Sequence, residues 1–544
     1  MNPTQRLLSS KELAEKHFHL KEGKKYVCLL CNPNWTAEST EEVKTYTKGK
    51  GYQWAVQHLN GKHEGFQTHV ASAQTLLISP DATNTYQWLE WIVAENRELD
   101  FVNKARVRKF TKGNLKPINH ETLKKRMHAT VEVTEEFLKK KLPKKFGIAF
   151  DGWSQDGVHY LAVFAVGDGL PQECDGCVLL GFSPFEQEDD LSSDQHVLYL
   201  TQLLSYYDRS MGDVLYLVGD NCATNRKVSN DTIVPLIGCN SHKLNLAVSR
   251  YLGLSVKSDE AANVQCTAEQ LHRRGLVQKL TTLMSKLKTI KGKGKLREFT
   301  DYVAIKANET RWNGNYRMCV RYNLFKEALE KLANEDTNIG REVASLLPTH
   351  AENGRIRLLA KELTKFHSIS LLLQKKDGTI SLADVRDLFD GLIQDFGHEF
   401  RHYLAPDSEI VNNPDFENGI VKVLKGSAIS TMEKIALCDL ETHSTVAGDD
   451  EEQNDSDMDY GIQLLQSSRK KRRISVGYSV SRIPVTSNVV ERFFSQVKLN
   501  VTNMRNSLLP STLEAIMFIK MNAALITAAT VQKALVFLAN KQQN

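Results

Sequence analysis

VLYLVGDNCATNRKVSNDTIVPLIGCNSHKLNLAVS, residues 214–249, decides how this chain is read. An apolar run, VLYLVG, ends at Asp220, and a polar turn, NCATN, follows. A second apolar run leads to Cys239 and His242, spaced C-x2-H, which open the amphipathic stretch HKLNLAV. Short apolar runs bounded by turn residues predict buried strands. A carboxylate at the carboxyl end of such a strand sits where open α/β sheets place their chemistry. The reading therefore turns on whether the rest of the chain supplies partners for Asp220.

Upstream, FGIAFD is a short run ending in Asp151, followed by the turn GWSQDG and by two further runs, HYLAVFAVG and CVLLGF. DQHVLYLTQLLSYYDRS has helical spacing through Val197, Leu198, Leu200, Leu203 and Leu204. The order is three strands, helix, strand, helix, strand, helix. That predicts an α/β fold with a mixed sheet, an antiparallel meander followed by parallel strands. Asp151 ends the first strand and Asp220 the fourth. This is the layout of a ribonuclease H-like core, in which those two strand ends lie side by side. The isolated pair Cys174 and Cys177 reads as a turn with two ordinary thiols.

The N-terminus carries different chemistry. Cys28 and Cys31 form a C-x2-C knuckle, and His58 and His63 an H-x4-H pair, a ligand set suited to tetrahedral zinc. Trp54, Val56 and Leu59 recur at roughly helical spacing, so both histidines fit on a short helix. His69 is a possible competing ligand. The pattern resembles a BED-type zinc finger, over residues 1–75, and implies a DNA-binding module. Lys24, Lys25, Lys48, Lys50 and Lys62 are available to phosphates there. Residues 80–143 are helical, with Trp88, Trp91, Ile92 and Val93 on one face and Leu123, Met127, Val131 and Leu138 on another.

Composition bounds the rest. At 544 residues and a net charge of +5, the chain is long enough for several globular domains, and its charge alone names no partner. No apolar run reaches the roughly 18–20 residues of a membrane span. Nine cysteines in so long a chain fit a reducing compartment better than a disulfide framework. Residues 144–250 form the first part of the core. From 251 to 438 the pattern is helical, with a lysine-rich stretch holding Lys291, Lys293 and Lys295, and an Arg311–Trp312 pair in a polar loop. Residues 439–483, an acidic run followed by RKKRR, read as disordered, and the basic run as a nuclear localisation signal or nucleic-acid patch. Residues 484–544 hold two greasy helices. Glu491 lies in the first, three residues after Asn488, as in a capping box, or else is a third acidic residue aimed into an active site.

Four motifs occur in one order: FDGWS around Asp151, GDNCATN around Asp220 with Cys239 and His242 after it, TRW at 310–312, and VVERFFS around Glu491 with a later MRNSLLP. Together they resemble the hAT superfamily of DNA transposases, over nearly the whole chain from about residue 85. The resemblance implies a ribonuclease H-like core interrupted by a large all-helical insertion, with a C-terminal helical dimerisation region. It implies that Asp151, Asp220 and Glu491 form an acidic triad for Mg²⁺ or Mn²⁺, with His242 beside it. It also implies that Arg311 and Trp312 match a DNA-contacting pair in the insertion, the tryptophan of which stabilises an extruded base. The implied partners are transposon-end and target DNA and a second copy of the chain, in the nucleus. The resemblance is thinnest just before Glu491, where the approach SRKKRRISVGYSVSRIPVTSN is short, basic and Ser-rich.

Overall fold

The structure is a computed structural model. It describes residues 14–15, 17–21, 25–32, 43–47, 52–63, 78–155, 157–185, 190–254, 266–307, 312–375, 379–441, 459–469, 477–480, 482–501 and 508–541. Its contacts divide into two compact units, Met1–Ser79 and Pro80–Asn544.

In the first unit three short antiparallel strands, β1 (Phe18–Lys21), β2 (Lys25–Cys28) and β3 (Thr45–Thr47), precede the helix Gln53–Lys62. Its apolar centre is small: Ala14, Phe18, Cys28, Ala55 and Leu59, with Tyr26, Tyr46 and Trp54 packed around them. A core of this size does not hold a fold by burial alone.

The second unit is built on a five-stranded mixed sheet of order β6-β5-β4-β7-β8. The strands are β4 (Phe146–Gln155), β5 (Val158–Val166), β6 (Cys177–Pro184), β7 (Val214–Gly219) and β8 (Leu236–Gly238). The β4–β5–β6 meander is antiparallel, and β4, β7 and β8 run parallel. The predicted element order and mixed pairing are present. One boundary differs: β4 does not stop at Asp151. Its parallel pairing with β7 ends at Ala149 opposite Val218, but the antiparallel hairpin with β5 carries it on to Gln155. Asp151 thus sits inside a strand, at the point where one neighbour has ended.

Both faces of the sheet are covered. Trp153 stacks on Phe494 at 6.1 Å, and Phe164 and Phe182 meet Phe493 edge-on, so the helix Asn488–Asn500 lies on one face. On the other, Gly181 admits Leu203 and Tyr199 of the helix Ser193–Tyr206, and a Cβ there would stand 2.9 Å from Leu203. From Thr267 to Ala436 the described elements are all helices. Their starts are written in the sequence as capping boxes, at Thr267, Thr349, Ser381 and Ser430.

The reading of 439–483 as disordered needs correction. Within it lies the helix Tyr460–Arg469, with Leu465 buried, Gly461 N donating to Ser368 Oγ at 3.1 Å and Tyr460 donating to Asp395 at 2.9 Å. Tyr460, Ile462, Leu464 and Leu465 supply an apolar face that the flanking charge runs conceal. The acidic run and most of RKKRR lie outside the described residues.

The helix Pro510–Met521 is apolar nearly all round because it divides two cores. Leu513, Met517 and Phe518 join the sheet's core. Ala515, Ile516 and Ile519 join a second cluster with Trp88, Leu89, Leu123 and Met127 from the helices Pro80–Ala94 and His120–Lys141. The last helix, Ala528–Lys541, adds Val531 to that cluster. Among the described residues no helix is long and apolar enough to cross a membrane.

Candidate functional site

Beside the carboxyl end of β7, His242 contacts Asp220, Asp151 stands opposite, and Glu491 lies within electrostatic reach. The parallel register that pairs Ala149 with Val218, continued by two residues, sets Asp151 opposite Asp220. The helix Asn240–Tyr251 leaves β8 and brings His242 in its first turn, with Nδ1 3.2 Å from Asp220 Oδ2. The other oxygen, Asp220 Oδ1, is buried and has no hydrogen-bond partner among the described residues. Burial, then the charge of Asp220, pushes the Asp151 carboxyl up to about 7; Glu491 adds to the rise, while the Gly152 backbone N–H and His242 oppose it. Burial pulls His242 down, but the hydrogen bond and charge of Asp220, with Asp151 and Glu491 behind it, hold it above its ordinary value. The three carboxyl groups and the imidazole therefore feel one another electrostatically, although they come from chain segments 340 residues apart at the extremes, 491 minus 151.

The delivery of Glu491 is explicit. The main chain before the helix Asn488–Asn500 is fastened to the start of the helix Asn240–Tyr251 by several bonds. Asn240 donates from its backbone and side chain to Val485 O, at 3.3 and 2.7 Å. The Ser487 N–H donates to Cys239 Sγ at 3.4 Å. Asn488 Nδ2 donates to Ser241 Oγ at 3.2 Å and to Leu373 O at 2.9 Å. The two members of the C-x2-H pair thus divide the work: Cys239 receives the incoming segment, and His242 holds Asp220. Burial pushes the Cys239 thiol up to about 12, so it stays protonated. The capping box expected between Asn488 and Glu491 is absent, because the N-cap is Ser487 and the Asn488 side chain is used in the clamp.

A second clamp closes β8, an edge strand of the sheet. Asn413 accepts from Leu236 N at 2.8 Å, Glu417 accepts from Gly238 N at 3.2 Å, and Asn221 donates to Ile410 O at 3.0 Å. Lys243, 3% exposed, pairs with Glu417 at 2.8 Å. A Cβ at Gly238 would stand 1.9 Å from Asn221 Nδ2, so this approach requires glycine. Sequence reasoning did not find Asn413, Glu417 or Lys243. The one available signal was a lysine inside the apolar period of HKLNLAV.

In the N-terminal unit the four expected ligands converge. One atom each from Cys28, Cys31, His58 and His63 lies within 4.8 Å of the others, and this tetrad could hold a zinc ion. Cys31 Sγ stands 3.4 Å from His58 Nε2 and 3.1 Å from His63 Nε2, and Cys28 Sγ 3.5 Å from His63 Nε2. A tetrahedral zinc ion separates its sulfur and nitrogen ligands by about 3.5 Å, given its bond lengths. His58 lies within the helix and His63 is its C-cap residue. Among the described residues, this is the only group of three or more such side chains that closes to that mutual distance. The acidic residues are spaced more widely.

The residues expected at DNA are scattered. Lys62, Lys291 and Lys293 are exposed, and Lys295 pairs with Glu298 at 3.0 Å. Arg311 lies outside the described residues, as do Lys24, Lys48, Lys50 and His69. Trp312 is 3% exposed and packs edge-on against Phe366 at 6.3 Å, so its ring anchors a helix start and offers no face to a base in this conformation.

The chain therefore combines a candidate zinc site with a mixed-sheet unit whose acidic cluster is completed by a C-terminal helix. That C-terminal segment, residues 478–523, matches the hAT family C-terminal dimerisation region. The match contains the clamp residues Val485, Ser487 and Asn488 together with Glu491. No curated protein matches the chain.

Proposed function

We propose that this chain is a hAT-type DNA transposase or a close derivative, with a ribonuclease H-like core, a BED-type finger and a nuclear site of action. The observation that supports the reading is the electrostatic coupling of Asp151 to Asp220, His242 and Glu491, with Glu491 supplied by the segment that matches the hAT dimerisation region. The donor set suits divalent cations: an orphaned buried oxygen on Asp220 and a carboxyl on Asp151 driven up by neighbouring charge both gain from Mg²⁺ or Mn²⁺. When bound, such ions activate a water or 3′-hydroxyl and stabilise the leaving oxygen of an in-line phosphodiester displacement. Asp151, Asp220 and Glu491 would hold the ions. His242 fixes the rotation of Asp220 by holding Oδ2, which leaves Oδ1 turned away from it. The finger, with Lys62, and the lysines 291, 293 and 295 contact the DNA backbone, and Arg311 contacts the nucleotide next to the cut. Self-association through the C-terminal region pairs two such centres.

One observation favours a second reading, a transposon-derived DNA-binding regulator without nuclease activity: Trp312 is packed in the core rather than presented to a base. The test is Mg²⁺- or Mn²⁺-dependent cleavage of a transposon-end duplex by the parent protein and by Asp220→Asn. Loss of a direct ligand should exceed the roughly 10–100-fold cost of losing an outer partner. Equal cleavage by the two proteins sinks the triad. DNA binding without cleavage by the parent selects the second reading.

A further inference from the structure

Between Phe101 and His120 the chain carries six cationic side chains, Lys104, Arg106, Arg108, Lys109, Lys112 and Lys116, and no Asp or Glu. Two of them are engaged. Lys104 pairs with Glu98, and Arg108 donates to Val102 O at 3.1 Å and to Asn103 Oδ1 at 3.0 Å. Arg106, Lys109, Lys112 and Lys116 are exposed, and their side chains have no partner among the described residues. The nearest acids upstream are occupied: Glu98 by Lys104, and Asp100 by Asn103 at 2.7 Å.

The helix Ala105–Thr111 sorts these groups by face. Thr111 is buried and Val107 packs against the second core, which fixes the inward side. Arg106, Lys109 and Phe110 stand at i, i+3 and i+4, so they share a face away from it. Phe110 is 81% exposed. A lone exposed Phe is ordinary, and so is a charge run. An exposed ring set among unpaired cations on one short, anchored helix is the composition of a surface that binds phosphate and stacks on bases.

We propose that this face binds DNA carrying unpaired bases. Arg106, Lys109 and Lys112 neutralise backbone phosphates, and Phe110 stacks on a base left unpaired beside them. The site is separate from the finger, from the lysines at 291–295 and from the acidic cluster. An anionic lipid surface fits less well, because a helix of seven residues with one outward apolar side chain buries too little to lie in a membrane interface.

The test uses the full chain with zinc present and no Mg²⁺ or Mn²⁺, so that binding is read without cleavage. The probes are a labelled duplex, the same duplex with a three-nucleotide bulge, and phosphatidylserine vesicles. The triple variant Arg106→Ala, Lys109→Ala, Lys112→Ala should weaken both DNA probes and flatten the slope of log K against log salt by about 2–3, near one unit per lost phosphate contact. Phe110→Ala should leave that slope unchanged, spare the intact duplex and weaken the bulged one by roughly 5- to 100-fold, the scale of one lost base stack. All four positions are exposed, and an unchanged melting temperature shows that the variants fold. Parental slopes and affinities in both variants overturn the proposal, as does vesicle binding that the triple variant loses while DNA binding persists. A chain that never cleaves can still pass this test, and one that cleaves can fail it, so the two readings stand or fall separately.

Discussion

The two candidate metal centres are assembled in opposite ways. The finger takes its ligands from one continuous stretch, Cys28 to His63, and sets them around a centre of five buried side chains. The second centre takes Asp151 from a strand, Asp220 from the turn that follows another, and His242 and Glu491 from two helices, with a whole helical region inserted before the last of them. In the N-terminal unit the Cys2His2 tetrad adjoins only a small core. At the sheet a large core exists first, and it carries crowded carboxyl groups at some cost, visible in Asp151 being driven up to about 7. The difference teaches where a metal would contribute folding energy and where it would meet a site that is already folded.

Zinc removal should break the comparison most strongly if it is wrong. Chelation, or Cys31→Ser, is expected to unfold the first unit, since apparent zinc-binding free energies in finger peptides run to about 10–16 kcal/mol. Proteolysis should then open sites within residues 1–79, while the cooperative thermal transition of residues 80–544 stays in place. A finger that resists protease without zinc would mean that its small core suffices.

The next effect lies in the clamp on β8. Lys243→Met leaves the largely buried Glu417 without its cation, which costs up to about 3–5 kcal/mol. Adding Glu417→Leu should recover much of the loss, and denaturant titration of both variants checks it. No recovery in the double variant would show that the cost comes from packing. Smaller again is Asn488→Ala, which strips donors from Ser241 Oγ and Leu373 O. A loss of about 1–3 kcal/mol is expected. If the clamp positions Glu491, half-saturation of cleavage by Mn²⁺ should also move to higher concentration; an unmoved midpoint with lowered stability would reduce the clamp to structure alone.

These clamps also mark where the sequence stops being legible. The convergence of Cys28, Cys31, His58 and His63 could be read because spacing is a local property and these residues are local. The strand order could be read because apolar runs and turns alternate plainly from Phe146 to Ser249. The neighbourhood of Asp151 and Asp220 followed from that order. What could not be read is pairing between distant segments. Nothing in IPVTSN announces that Val485 and Ser487 will meet Asn240 and Cys239, and Asn488 looked like a helix cap. The indole of Trp312 could not be assigned to a core or a base by its neighbours alone, because burial is decided by Phe366 some fifty residues later. The helix Tyr460–Arg469 was hidden for the same reason, its partners Ser368 and Asp395 lying far upstream.

A final effect separates crowded carboxyl groups that await a cation from crowded carboxyl groups that await a proton. Glu135, on the helix His120–Lys141, accepts from Tyr206 at 2.7 Å. Burial pushes its carboxyl from the ordinary 4.5 up to about 7, with Glu514 and Glu132 adding to the rise, while Tyr206 and Lys139 oppose it. Glu514 is itself raised by burial and accepts from Ser183 at 2.5 Å. Because the folded value lies above the unfolded one, the stability that Glu135 contributes is whole below about pH 4.5 and drains away as pH rises to about 7. Glu135→Gln removes that loss. Its melting temperature, relative to the parent, should therefore rise between pH 5 and pH 8, and the raised Asp151 cancels in the difference because both proteins keep it. The profile should be the same with and without Mg²⁺. A difference that does not change with pH would show that Glu135 is not protonated in the fold, and one that Mg²⁺ abolishes would place a cation at the second cluster as well as at the first.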